Sequence, residues 1–145
     1  MPILREARRN KYLVQTPEGG LGIYIINKTG ANSVKGSIVE SHDSIDDSVK
    51  LSAVNSVNPI GVVYSDGIPD GSKMLVIIAG IADVLLKNTI SVEPNDWCGC
   101  SDVAGRAYAQ ISPPAAAEHD REVGHFVENK TGGTNVLAKA IIHFR

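Results

Sequence analysis

The chain has 145 residues, 43% hydrophobic and 21% charged, with a formal net charge of −2 at pH 7. That length suffices for one domain with a substantial core, and the near-neutral balance excludes the basic excess that nucleic-acid binding normally requires. Aromatics make up only 5%, so Val, Ile, Leu and Ala must build the core.

Residues 1–20 read as a basic N-terminal arm, in which Arg5, Arg8, Arg9 and Lys11 outnumber Glu6 and Glu18. The start lacks the apolar stretch of a secretory signal. Two readings fit the arm: a solvated terminus, or a segment that orders on a partner surface. Pro17–Gly20 closes it as a loop.

Residues 21–145 read as a single β-domain. Leu21–Ile26 is a strand rich in β-branched residues, stopped by the turn Asn27-Lys-Thr-Gly30. Val34–Glu40 alternates, with Val34, Gly36 and Ile38 on one face. Ser41–Ser48 is polar and acidic, an exposed loop before a short strand over Val49–Val54. Pro59–Tyr64 precedes two Asp-Gly turn signals, at Asp66-Gly67 and Asp70-Gly71. Lys73–Ala79 and Ile81–Leu86 are the most hydrophobic pieces, with a bulge or bend expected at Gly80. This apolar run is too short and too interrupted to cross a bilayer, so no membrane association is expected.

Trp97–Ser101, Arg106–Ile111, Val123–Glu128 and Leu137–Phe144 continue the series of strands. Ser112–Glu118 is a surface loop or a single helical turn after its prolines. The tetrapeptide Asn-Lys-Thr-Gly occurs at 27–30 and again at 129–132, and two matching turns explain it without a duplication. Short strands at this spacing, with fourteen Gly and seven Pro, indicate an all-β barrel or sandwich.

Candidate chemistry is sparse. Cys98 and Cys100 are C-x-C rather than paired C-x₂-C, and His42, His119, His125 and His143 are far apart in sequence. Two free thiols packed as small hydrophobes near Trp97 fit better than a zinc site. His119-Asp-Arg-Glu122 is the densest titratable run, but neighbours on a strand face opposite sides. It reads as a solvated loop feeding the strand that holds His125. Asp43, Asp46 and Asp47 lack the ligand ladder of a calcium loop. Gly19-Gly20 and Thr131–Thr134 are not followed by a helix, and neither a P-loop lysine nor a G-x-S-x-G serine is present. No catalytic residue, cofactor or metal is expected.

The order of features is nonetheless suggestive: Asn58-Pro-Ile-Gly-Val-Val-Tyr64, Val76–Val84, Asn95-Asp-Trp97, Gly105-Arg-Ala107, Glu122-Val-Gly-His-Phe-Val-Glu128 and Ala138–Phe144. In this order the chain, over roughly residues 20–144, resembles the capsid decoration (cement) proteins of tailed bacteriophages. The resemblance implies a β-barrel or β-tulip-like subunit, usually a homotrimer, on the outer face of the expanded head of a virion assembled in the host cytoplasm. There it would clamp adjacent major capsid protein subunits. Arg5, Arg8, Arg9 and Lys11 would then be partner-binding residues, meeting acidic coat-protein surface, while the arm adds a strand to a neighbour's sheet edge. One rival is a trimeric dUTPase-like nucleotide hydrolase, faintly echoed by Tyr64-Ser-Asp66 and Thr131-Gly-Gly-Thr134. Another is a carbohydrate-binding or adhesion module of a virion, for which few aromatics are available.

Overall fold

The computed structural model describes residues 13–111 and 116–143. Strands are β1 (Leu13–Gln15), β2 (Gly20–Asn27), β3 (Ile38–Ser41), β4 (Ser48–Leu51) and β5 (Gly61–Val63), followed by β6 (Lys73–Leu85). After these come β7 (Trp97–Cys100), β8 (Ala107–Gln110), a 3₁₀ helix (Ala116–Arg121), β9 (Glu122–Phe126) and β10 (Leu137–Ile142). All ten strands belong to one mixed sheet, and no α-helix occurs among the described residues. The all-β expectation holds.

Arg5, Arg8, Arg9 and Lys11 lie outside the described residues. The stretch that follows them is part of the sheet: β1 pairs antiparallel with β2, Leu13 opposite Ile23 and Gln15 opposite Leu21. The loop between them is a tight hairpin in which the Thr16 hydroxyl accepts the Gly20 N–H at 2.9 Å.

Half of the sheet closes on itself. β2 runs parallel to β4, and antiparallel pairs then link β4 to β3, β3 to β5, β5 to β6, and β6 back to β2. Closure satisfies backbone groups that an open edge would leave exposed. Every strand of this ring sends a side chain into one cluster: Ile25, Val49, Val39, Val63, and Met74 with Val76.

β6 is the element both halves share. Its first part pairs with β2 and its second with β10, and Gly80 is the hinge, opposite Gly20 on one side and Ile142 on the other. Gly80 has φ +82°, and a Cβ there would lie 2.4 Å from the Gly19 carbonyl oxygen. Only glycine satisfies both conditions. The bend expected at this position is therefore a pivot inside one continuous strand.

From β10 the sheet continues through β9 and β7 to β8, and Leu86 bridges back to Ala107. A second core fills the space between the ring and this half, with Leu75 and Ile77 of β6 packed among Ile38, Val62, Cys98, Phe126 and Ile142. Met74 and Val76 face the ring while Leu75 and Ile77 face the second core. Burial on both faces explains why β6 reads as an unbroken apolar run and not as an alternating one.

Candidate functional site

Among the described residues, a cluster of histidines and a carboxylate, Glu122, His125 and His143, sits where the 3₁₀ helix meets β9. Along the β7–β9 pairing, Cys98 lies opposite Gly124 and Gly99 opposite Glu122, so β9 advances two residues for one on β7. That extra residue is a β-bulge. On a regular strand Glu122 and His125 would face opposite sides. The bulge turns Val123 into the core and leaves Glu122 and His125 on a common side. Gly124 permits it, because a Cβ there would stand 1.9 Å from the Ile141 carbonyl oxygen.

His143 follows β10 and is fixed by its N–H, which donates to the Val123 carbonyl at 2.9 Å. Its Nε2 lies 3.0 Å from His125 Nδ1 and 3.2 Å from Glu122 Oε1. The other oxygen of Glu122, Oε2, is 3.2 Å from His119 Nδ1. Residues i and i+3 nearly eclipse in a 3₁₀ turn, which brings His119 over Glu122. The Glu122 side chain is only 5% exposed, whereas His119 and His143 are 32% and 40% exposed. Trp97 closes one flank, its ring centroid 4.3 Å from that of His125 and 5.6 Å from that of His119.

Sequence reasoning separated these residues, and the structure corrects it. His119–Glu122 is not a solvated loop but a 3₁₀ turn that delivers a buried carboxylate to β9. Of the four histidines, scattered in sequence, His119 and His143 meet at that carboxylate and His125 joins them through His143, while His42 stays in the acidic loop and accepts the Ser44 and Ile45 N–H groups. The spacing Glu122-x-x-His125 was visible, but it says nothing without the bulge.

Other singled-out residues are occupied structurally. Cys98 and Cys100 are free and buried in the second core; burial pushes the Cys98 thiol far up and the Cys100 thiol up to about 11. Such thiols are poor nucleophiles and poor ligands. Asp43 pairs with Lys50 at 2.7 Å, and that hydrogen bond holds its carboxyl below the usual carboxylate range. The Tyr64 hydroxyl donates to Glu18 at 2.9 Å, and Asp66 accepts the Lys35 N–H at 2.7 Å. The cleft beside Tyr64 measures about 50 Å³, whereas a pocket for a drug-sized ligand spans roughly 300–1,000 Å³. Gly132 is pinned by its N–H to Ser91 Oγ at 2.8 Å.

No protein-family model and no curated protein matches this sequence. Among solved structures, the chain is similar to the N base of the head fiber gp8.5 of bacteriophage phi29. The match has a TM-score of 0.57 at 18% identity and covers 84% of this chain and 92% of that chain. The likeness is one of fold.

Proposed function

We propose that this chain is a structural protein of a bacteriophage virion that docks on the head, as a decoration subunit or the base of a fibre. The observation that carries this reading is the fold shared with the phi29 head fiber base over nearly the whole of both chains. The finer proposal is a homotrimer on the outer face of the expanded head that clamps adjacent major capsid protein subunits. Docking at many symmetric copies lets modest contacts add up through avidity.

Physical features support such a role. Among the described residues β1 ends the ten-stranded sheet on one side, and unpaired edges are covered in natural proteins by further chains or by closure. On one face of the β1–β2 pair, Leu13 and Leu21 are exposed apolar side chains, surface suited to a protein contact. Arg5, Arg8, Arg9 and Lys11 precede this edge directly and would steer it toward an acidic coat surface.

The test is co-sedimentation of the purified chain with phage heads that lack it, together with the melting temperature of the heads. Binding with a raised melting temperature is expected. No co-sedimentation and no shift would sink the proposal. Deleting residues 1–12, which leaves β1 intact, should weaken binding and make it less salt-dependent; unchanged binding removes the arm from the interface. Analytical ultracentrifugation checks the trimer.

A further inference from the structure

We infer that Glu122, His125 and His143 form a binding site for a divalent transition-metal ion of the zinc class, with the fourth coordination position open to solvent. The inference is independent of the proposed docking role. It starts from a conflict of protons. His143 Nε2 has one in-plane position, which holds either a hydrogen or a lone pair. Two groups face that atom, His125 Nδ1 at 3.0 Å and Glu122 Oε1 at 3.2 Å. An ionised carboxylate only accepts hydrogen bonds. If His143 Nε2 carries the hydrogen, His125 and Glu122 compete for it. If it carries the lone pair, that lone pair points at a carboxylate oxygen. Neither tautomer gives each of the two contacts a hydrogen bond of its own.

A cation at the centre does. The three ligand atoms lie within 4.8 Å of one another. In a tetrahedral zinc site with bonds of about 2.0–2.1 Å, ligand atoms stand about 3.3 Å apart; the two edges at His143 Nε2 are 3.0 and 3.2 Å, and the longer one between His125 and Glu122, within 4.8 Å, would have to shorten as the ion binds. Two imidazoles and a carboxylate are a donor set suited to zinc. The outer surroundings match as well. His119 approaches the second oxygen of Glu122 at 3.2 Å, the kind of contact that orients a ligating carboxylate. Trp97 packs on His125 and walls off one side. The half-exposed His143 leaves room for a water. Such an ion would fasten the end of β10 to the bulge of β9.

Trp97 is the only tryptophan in the chain, and its place against His125 provides the readout. The full chain, stripped with EDTA and dialysed, is titrated with Co²⁺ while Trp97 fluorescence and visible absorption are followed. Expected are quenching that saturates at one equivalent, d–d bands of a four-coordinate ion, and reversal of both by Zn²⁺. His143→Gln and Glu122→Gln should abolish the saturable step, and His119→Gln should weaken it by about 10–100-fold. Far-UV circular dichroism verifies that each variant is folded. The wild-type titration decides on its own if a variant does not fold. Absence of a saturable step, or a step that the folded His143→Gln and Glu122→Gln variants retain, overturns the assignment.

Discussion

Gly80→Ala tests the pivot that joins the two halves, and glycines elsewhere in the chain separate its two costs. Gly67 has φ +83°, almost the value at Gly80, but a Cβ there meets nothing within 4 Å. Gly67→Ala therefore reports the conformational cost alone, about 1–2 kcal/mol for an alanine held in the left-handed region. At Gly80 the Gly19 carbonyl oxygen must retreat from 2.4 Å to an ordinary 3.4 Å. That oxygen accepts the Ile81 N–H at 3.2 Å, and the two strands it holds carry the closure of the ring. Overpacking a rigid site and losing a hydrogen bond together add roughly 2–4 kcal/mol beyond the control. With a urea m-value of about 2 kcal/mol/M, the Gly80→Ala midpoint should fall about 1–2 M below that of Gly67→Ala. Equilibrium unfolding in urea, followed by Trp97 fluorescence and by circular dichroism, measures this. A Gly80→Ala midpoint no lower than the control refutes the claim that β6 turns on a steric contact with Gly19.

Two further predictions concern the interior. Asn27 is fully buried; its Nδ2 donates to the Ala31 and Ile68 carbonyls and its Oδ1 accepts from the Thr29 N–H and hydroxyl. In Asn27→Ala the Ile68 carbonyl keeps the Ser33 N–H, and the Thr29 hydroxyl, freed from Oδ1, can turn to the Ala31 carbonyl, so the loss centres on the Thr29 N–H. A destabilisation of about 1–3 kcal/mol is expected, and an unchanged midpoint in urea would count against it. For the thiols, the unfolded chain releases the Cys100 proton near the ordinary 9.0, whereas the folded chain keeps it to about 11. The unfolded state then binds fewer protons, so stability falls as pH rises through this window, by up to about 1.4 kcal/mol per pH unit for each thiol. A Cys98→Ala/Cys100→Ala variant should show a shallower decline between pH 9 and 11. Parallel curves for the two proteins would contradict the buried-thiol account.

The sequence by itself determined most of the strands, though the 34–40 and 49–54 runs shorten to Ile38–Ser41 and Ser48–Leu51 and leave Val34 and Val54 exposed. Leu21–Ile26, the 73–86 run, Trp97–Ser101 and the last strand were legible because side-chain period and turn residues act locally. The C-x-C pair was legible as core for the same reason, since residues two apart on a strand share a face. β1 was missed because Leu13–Gln15 has only three residues and is ordered by pairing with β2, not by its own pattern. Tertiary structure alone decided the closure of the ring, which depends on β2 meeting both β4 and β6. It alone also decided the cluster at Glu122. That site needs a single extra residue in β9 to reverse the facing of His125, and a distant chain end to bring His143 within 3.2 Å of the same carboxylate. A bulge changes which side chains share a face without changing the hydrophobic pattern that sequence reasoning reads. For that reason the β-domain was visible in the sequence and its gathered histidines were not.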